Sequence, residues 1–267
     1  MRLPECRALL TGASGGIGLA LAEQLCAGGA HLLAVSRQGQ VLEELCQRYP
    51  KQIRWIEADL TTVGGRQRVV DAARAMGGLN LLINGAGVNR FALLEQLHDG
   101  QIAEMFELNV IATLQLTRAL LPLLRQQRHA LVVNVGSTYG SIGYPGYATY
   151  CASKFALRGF SEALRRELAD TGVGVLYVAP RATRTSMNSD QAVALNDALK
   201  VTMDAPDSVA QAVIAAVAGK RSELFLGWPE KFFVRLNGLL PRLVDRALRK
   251  QLPLIRHFTQ TSSHKEP

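Results

Sequence analysis

The sequence lacks the cysteine and histidine spacings that cross-link or metal-stabilise a fold. Only four cysteines occur among 267 residues, and none stands in a CxxC pair. The five histidines show no HxxxH or HExxH spacing. Disulfide frameworks and zinc sites need such patterns, so the sequence predicts reduced thiols, as in a cytoplasmic protein, and no metal site.

Long apolar runs and an even spread of positive charge are also missing. No stretch of 18 successive apolar residues is present, and we recognise no secretory signal, which argues against a membrane span. Lys and Arg outnumber Asp and Glu by 30 to 22 overall, and by eight to three between residues 228 and 267. Most of the excess is therefore in a basic tail, which argues against nucleic-acid binding by the body of the chain.

Short apolar runs alternate with segments of helical periodicity along the chain. Such runs are typical of parallel strands covered by helices on both faces. The pattern predicts an α/β fold with a doubly wound parallel sheet, built as one domain with a helical C-terminal appendage. The predicted strands are 6–12, 31–37, 53–60, 79–87, 129–137, 173–180 and 223–227. The predicted helices are 17–29, 41–49, 66–78, one or two across 99–127, and 153–168.

The turn TGASGGIG, between the first strand and the first helix, has the composition of a phosphate-binding loop. Gly12 allows a positive φ, while Gly16 and Gly18 remove side chains where backbone and phosphate approach each other. The following helix offers free N–H groups and a partial positive charge. We expect this loop, with Ser14 and Ile17, to bind a dinucleotide, although any tight strand–helix turn can use glycines.

The ends of the second and third strands indicate which dinucleotide is bound. Enzymes that prefer NAD carry an acidic residue after the second strand, whereas Ser36 and Arg37 occur here. A cation suits the 2′-phosphate of NADP(H), so NADP(H) is the preferred cofactor and NAD(H) the alternative; a solvated arginine is the other interpretation. Asp59, followed by Leu60, is placed to bond an adenine amino group or to cap a helix.

One of the four tyrosines between residues 137 and 154 has a lysine four positions later. Tyr150 and Lys154 share one helix face if this segment is helical. An ammonium about 4–5 Å away supplies roughly 3–4 kcal/mol, and lowering a phenol pKa from about 10 to about 7 needs ~4 kcal/mol. The lysine, together with the positive charge of an oxidised nicotinamide, is thus of the right size to do so. Tyr150 is thus the predicted general acid/base. Ser137 either holds a carbonyl oxygen or is a turn serine, and Asn109 is a polar residue in an apolar helix and a candidate functional kink.

These motifs together resemble the short-chain dehydrogenase/reductase family over about residues 6–227. The resemblance implies a Rossmann-type sheet and NAD(P)-dependent interconversion of an alcohol and a ketone. It implies Tyr150 as proton donor, Ser137 as clamp on the substrate oxygen and Lys154 as ligand of the nicotinamide ribose. Asn109 would hold a water that passes protons to Lys154. The resemblance further places in the cofactor site Asn84, Ala86, Pro180, Thr183 and Thr185.

Two positions depart from the family pattern. NGAG replaces the usual NNAG, so Gly85 is expected to loosen the turn after the fourth strand. Arg181 stands where the family has the glycine of a Pro-Gly pair. It would be strained if that position needs a positive φ, or it would offer a cation to the pyrophosphate or to an anionic substrate.

The segment 228–267 extends beyond the family core and contains an apolar stripe flanked by arginines. We expect it to pack on the same subunit or a partner, to lie in a membrane surface, or to cover the pocket of a lipophilic substrate. The domain assignment is 1–227 for the catalytic domain, with 186–205 as its substrate lid, and 228–267 for the extension. The stripe comprises Leu236, Leu239, Leu240, Leu243, Val244, Ala247 and Leu248, and the flank Arg242, Arg246 and Arg249.

The sequence predicts an NADP(H)-dependent oxidoreductase acting between a ketone and a secondary alcohol, on a hydrophobic substrate. The alternatives are a 3-oxoacyl-[acyl-carrier-protein] reductase and an NADP-binding regulator without turnover. An acidic carrier protein would need basic residues near the site, for which the candidates are Arg125, Arg128, Arg165 and Arg166. The family resemblance implies a homodimer or homotetramer in the cytoplasm, in contact with a membrane surface if the extension binds lipid.

Overall fold

A computed structural model describes residues 1–219 and 221–260, in which strands and helices alternate as expected. The strands are β1 (Arg7–Thr11), β2 (His31–Ser36), β3 (Ile53–Glu57), β4 (Leu81–Asn84), β5 (Ala130–Val135), β6 (Val173–Ala179) and β7 (Glu223–Phe225). The helices are α1 (Gly16–Ala27), α2 (Gln40–Arg48), α3 (Val63–Ala75), α4 (Asp99–Phe106), α5 (Thr113–Arg125), α6 (Ala148–Glu167), α7 (Asp190–Ala198), α8 (Pro206–Ala218), α9 (Glu230–Leu239) and α10 (Pro241–Gln260).

All seven strands form one parallel sheet in the order β3-β2-β1-β4-β5-β6-β7. The order reverses between β1 and β4, and in such sheets ligands bind beyond the carboxyl ends of the strands at that point. The predicted doubly wound fold, a single domain with a helical C-terminal region, is confirmed.

Helices cover both faces of the sheet, which explains why the strands are continuous apolar runs. One buried cluster joins the sheet to α1, α2 and α8, and includes Leu21, Leu25 and Val213. The other joins it to α3, α5 and α6, and includes Leu120 and Leu164. The two cores hold the strand ends, and therefore the loops beyond them, in fixed positions.

Several predicted boundaries differ from the structure. The fourth strand ends at Asn84 rather than at residue 87, because the next two backbone N–H groups donate to the Thr11 hydroxyl instead of continuing the sheet. The catalytic helix α6 begins at Ala148, five residues before the predicted start. Helices α7 and α8 were not among the predicted elements, although Pro206 at the first position of α8 is a recognised helix start.

A third buried cluster lies beyond the carboxyl edge and joins α7 and α10 to the catalytic helix. Ile255 of α10, fully buried, packs with Leu195 of α7 and with Tyr147 and Tyr150. The extension therefore packs on its own chain; its last predicted residues, 261–267, lie outside the described part. Within the described residues, no helix has the length and apolarity needed to cross a membrane.

Candidate active site

The glycine turn opens helix α1 with unbonded N–H groups at the expected point. Gly15 is the N-cap residue of α1. Because glycine has no side chain, it does not cap the first N–H groups of the helix. Gly12 has φ +69°, and a Cβ on Gly18 would come within 2.0 Å of the Gly12 carbonyl oxygen. The turn can close this tightly only with glycine at both positions, which leaves an anion site at the helix end.

A cavity of about 970 Å³ runs from this turn across the carboxyl edge of the sheet to α10. It is lined at one end by the turn and by the ends of β2 and β4, in the middle by the tyrosine segment, and at the far end by α9 and α10. Of the predicted site residues it contacts Gly12, Ser14, Gly16, Ile17, Gly18, Arg37, Leu60, Ala86, Ser137, Tyr150, Lys154, Pro180, Thr183 and Thr185.

The end of β2 combines a buried hydroxyl pair with an exposed cation. The hydroxyls of Ser14 and Ser36 are 2.6 Å apart, which ties the glycine turn to β2. Arg37, the next residue, is exposed on the cavity wall. Asp59 instead turns to its own chain: its Oδ1 accepts from the Thr61 backbone and hydroxyl, and these bonds lower the pKa of Asp59. Its neighbour Leu60 lines the cavity.

Asn84 does not line the cavity, contrary to the expectation from the family resemblance. Its Nδ2 donates to Thr117 and to Asn134, 3.0 and 2.8 Å away, so it joins β4 to α5 and β5. At the neighbouring Gly85, a Cβ would lie 2.8 Å from the Thr11 carbonyl oxygen. The turn therefore runs too close to β1 to accept a side chain here without a shift, and the loosening expected from Gly85 stays a prediction.

The hydroxyls of Ser137 and Tyr150 meet at the middle of the cavity. Ser137 follows β5, and its Oγ also accepts from the Tyr139 backbone at 3.1 Å. It hydrogen-bonds to the Tyr150 hydroxyl, which projects from the first turn of α6. Lys154 lies one turn further, with Nζ 5.6 Å from the Tyr150 ring centroid, and donates to the Val135 carbonyl at 3.1 Å.

The protein alone does not lower the pKa of Tyr150; the charge argument made on the sequence also includes the positive charge of an oxidised nicotinamide. Burial raises that pKa, and the bond from Ser137 opposes the shift. Burial also lowers the pKa of Lys154 to about 8. Both groups are almost fully removed from water, so desolvation disfavours both charged forms. The ammonium binds a carbonyl rather than the phenol, and a phenolate here needs a further positive charge.

Asn109 lies at the centre of an irregular helical segment, as its polarity in an apolar pattern indicated. Residues Glu107–Ala112 form a π-helix between α4 and α5. The buried amide of Asn109 donates to the Val88 carbonyl and accepts from the Val88 N–H, 2.9 and 2.8 Å away. Gly87 lies between this amide and the lysine: a Cβ there would be 3.0 Å from Asn109 Oδ1 and 3.6 Å from Lys154 Nζ. Gly87, the last residue of the NGAG motif, was not among the predicted site residues.

The other three tyrosines of the segment form the aromatic wall around Tyr150. Tyr139 stacks on Tyr144 with centroids 5.2 Å apart and packs on Tyr147 at 5.1 Å. Burial raises the pKa of Tyr144 to about 12, so it stays neutral at physiological pH. The Tyr144 hydroxyl donates to Gln251 of α10 at 2.8 Å. The cluster therefore joins the catalytic helix to the cover of the cavity.

Arg181 is neither strained nor available to an anion, which corrects both expectations for it. Within the described residues only Lys200 is a non-glycine residue with positive φ. The guanidinium pairs with Asp204 at 2.7 Å and Glu230 at 3.3 Å, and also donates to the Trp228 carbonyl. Two carboxylates more than balance its charge. Arg181 thus links β6 to the segment before α8 and to the first turn of α9.

The backbone around Arg181 holds the remaining predicted residues against the cavity. Thr183 donates its hydroxyl to the Arg181 carbonyl at 2.9 Å. The Pro180 carbonyl accepts from the Thr138 N–H, also at 2.9 Å. Thr185 lies so close to Gly16 that a Cβ on the glycine would be 2.7 Å from its methyl group. This segment forms the wall that faces the glycine turn.

The apolar stripe of the extension lines the far end of the cavity. The stripe residues that contact it are Leu236, Leu243, Val244, Ala247 and Leu248. Asn237 of α9 donates to the Ser141 carbonyl at 3.0 Å, which ties this cover to the tyrosine segment. Leu239 and Leu240, by contrast, are 80% and 52% exposed. Part of the stripe therefore lines the cavity, and part of it lies on the outer surface of the protein.

A glycine turn at a helix end, a strand-edge cavity and a serine–tyrosine–lysine set together define an oxidoreductase that uses a nicotinamide dinucleotide. A family model for short chain dehydrogenases matches residues 7–195. The chain belongs to the short-chain dehydrogenase/reductase family, as its motifs predicted, and is an NAD(P)-dependent oxidoreductase.

Individual relatives agree with this assignment. The 3-oxoacyl-[acyl-carrier-protein] reductase FabG of Escherichia coli is 33% identical over 181 residues, covering 67% of this chain and 74% of that protein. A short-chain dehydrogenase from Streptomyces avermitilis superposes with a TM-score of 0.79 at 29% identity, covering 94% and 97% of the two chains. One from Burkholderia cenocepacia in complex with NADP gives 0.80 at 28% identity, covering 93% and 99%.

Proposed function

We propose that this protein interconverts a ketone and a secondary alcohol, with NADP(H) as cofactor and a lipophilic molecule as substrate. The observation that carries the proposal is the hydrogen-bonded pair of hydroxyls on Ser137 and Tyr150. Both line a cavity that begins at the glycine turn and ends at the apolar surface of α9 and α10. The pair offers two donors to one carbonyl oxygen, which is what reduction of a ketone requires.

In the proposed reaction, each residue of the site has a separate role. When bound at the glycine turn, the cofactor supplies or accepts the hydride. Ser137 orients the substrate oxygen, and Tyr150 donates its proton to that oxygen in reduction and takes it back in oxidation. Lys154, with its pKa lowered to about 8, carries a proton at neutral pH and can support a phenolate. Asn109 holds the loop at Val88 against the lysine.

Arg37 supports the preference for NADP(H). It is an exposed cation on the cavity wall directly after β2, where an acidic residue would favour NAD(H). We expect Arg37→Asp to reverse the ratio of kcat/KM for NADPH over NADH, because a carboxylate repels the 2′-phosphate and accepts from a 2′-hydroxyl. Arg54→Asp, on the exposed face of β3, is the matched control. An unchanged ratio in Arg37→Asp would show that Arg37 does not meet the 2′-phosphate.

The lipophilic substrate is inferred from the far half of the cavity. Leu236, Val244 and Leu248 face it, and the aromatic wall of tyrosines closes its side. We assign 1–227 as the catalytic domain, 186–205 as its lid, which contains α7, and 228–267 as the extension, whose helices α9 and α10 cover the site. The four cysteines are unpaired, which agrees with a cytoplasmic location, and a homodimer or homotetramer is the expected assembly.

A reductase of 3-oxoacyl carrier-protein thioesters is the second candidate, because several relatives have that name. The basic residues suggested for such a partner do not support it. Arg125 ends α5 and Arg165 lies near the end of α6, just before β5 and β6 begin. They and their neighbours Arg128 and Arg166 thus lie at the amino edge of the sheet, opposite the cavity.

Turnover of a panel of ketones and acyl thioesters, each with NADPH and with NADH, tests the proposal. We expect long-chain ketones with NADPH to give the highest kcat/KM. Tyr150→Phe should lose roughly 10²–10⁴-fold in kcat with nearly unchanged NADPH affinity, since only the proton donor is removed. Tyr139→Phe, which keeps the same aromatic packing, is the control. Tight NADPH binding without turnover of any carbonyl would indicate a regulator instead.

A further inference from the structure

The outer surface of the C-terminal helices combines exposed aromatic and aliphatic residues with basic ones. Trp228 is 72% exposed, Phe232 51%, Leu239 80% and Leu240 52%. They lie between residues 228 and 240, a short stretch of chain that exposes several large apolar side chains. We call the exposed side of α9 and α10, together with Trp228, the outer face.

The charge of the outer face is strongly positive. Residues 228–260 contain seven Lys or Arg and two Asp or Glu, and one of the acids, Glu230, is paired inward with Arg181. The basic residues repeat at helical spacing on the exposed sides of α9 and α10. They are Lys231, Arg235, Arg242, Arg246, Arg249 and Lys250, all exposed.

The same helices connect this surface to the cavity. Phe233 and Leu243 line the cavity, yet they are 41% and 47% exposed. Residues that line the cavity and residues of the outer face thus belong to the same two helices.

We propose that the outer face docks on a membrane surface rich in anionic lipid, with its apolar side chains at the level of the headgroups. Aromatic and leucine side chains beside a lysine- and arginine-rich helix side match the chemistry of an interfacial helix. A second copy of the chain fits less well, because a symmetric contact would bring two strongly basic surfaces together. With the proposed function, which this step assumes, a lipophilic substrate would enter the cavity directly from the lipid.

Co-sedimentation with vesicles tests the docking. The full chain is mixed with vesicles of phosphatidylcholine alone, or with one third phosphatidylglycerol, at low and high salt. We expect pelleting with the anionic vesicles only, reduced by salt. Phe232→Ser/Leu239→Ser and Arg242→Gln/Arg246→Gln/Lys250→Gln should each weaken the vesicle affinity about tenfold or more. None of these residues lines the cavity, so the reduction of a short, water-soluble ketone should be unchanged.

A matched control removes the same charge elsewhere. Arg125→Gln/Arg128→Gln/Arg166→Gln changes three exposed arginines at the amino edge of the sheet and should pellet like the unchanged protein. Equal pelleting of both triple variants, or no pelleting at all, would overturn the proposal. So would self-association that Phe232→Ser/Leu239→Ser abolishes in the absence of vesicle binding, since the occupant would then be a second copy. Pelleting without turnover of any carbonyl would refute the proposed function and leave the docking intact.

Discussion

At the scale of single residues, the site depends on a lysine that the fold does not favour. Lys154 is only 5% exposed, and its ammonium donates a hydrogen bond to the Val135 carbonyl. Burial lowers its pKa from 10.5 to about 8, which is a cost to the folded state whenever the amine is charged. Function and stability therefore oppose each other at this position.

We expect Lys154→Met to abolish turnover and to raise stability at pH 7 by about 2 kcal/mol. The lowering of the Lys154 pKa corresponds to about 3 kcal/mol of destabilisation of the folded state, which the variant removes. The variant also loses the hydrogen bond to Val135, which cancels about 1 kcal/mol of that gain. Between pH 8 and 10.5 the unfolded wild-type chain binds more protons than the folded one, so wild-type stability rises through that window. The advantage of the variant should thus shrink towards pH 10. Urea unfolding at pH 7 and pH 10 measures it; a variant less stable at both would contradict this account.

Gly87 is a second residue whose role depends on geometry rather than on charge. A Cβ there would press on Asn109 Oδ1, which is fixed by Val88, and would come within contact distance of Lys154 Nζ. We expect Gly87→Ala to lower kcat about tenfold or more through misplacement of the lysine, with little change in melting temperature. Gly64→Ala is the control, because its Cβ would meet nothing within 4 Å. Equal kcat in the two variants would remove Gly87 from the site.

At the scale of elements, Arg181 fastens the cover of the cavity to the sheet. It joins the end of β6 to Asp204 and Glu230, and all three side chains are at most about a quarter exposed. We expect Arg181→Ala to cost about 2 kcal/mol, because two partly buried carboxylates lose their partner. In Arg181→Ala, the rate of amide hydrogen exchange should increase most in α9, because Glu230 in its first turn loses its partner.

Arg90→Ala provides the comparison for Arg181, since Arg90 and Glu104 form an exposed pair. Its removal should cost less than about 1 kcal/mol and leave exchange in α9 unchanged. If both variants had the same stability and the same exchange pattern, the Arg181 pairs would not hold the cover.

The sequence allowed prediction of the elements that depend on local chemistry. The glycine turn, the alternation of strands and helices, and the four-residue spacing of Tyr150 and Lys154 follow from periodicity and turn geometry. The partners of Arg181 and the position of Asn84 did not follow, because both depend on contacts between residues far apart in the chain. The effect of burial on the Tyr150 pKa did not follow either: burial raises that pKa in the protein alone, and local spacing does not give burial.

At the scale of the molecule, the two ends of the cavity come from different parts of the fold. The sheet edge holds the glycine turn, Ser137, Tyr150 and Lys154, while α9 and α10 supply the far end of the cavity. The sequence placed these residues at the carboxyl edge of the sheet, where the cavity lies. It left three alternatives for the extension, since an amphipathic stripe does not say which of its two sides meets the core.

The far end of the cavity is formed by the last two helices, α9 and α10, and this affects how the protein can evolve. Substitutions in those helices reshape the compartment without disturbing the strands that position the hydroxyl pair. Related proteins with this scaffold can therefore acquire new substrates through changes in one terminal segment, while Ser137, Tyr150 and Lys154 stay unchanged.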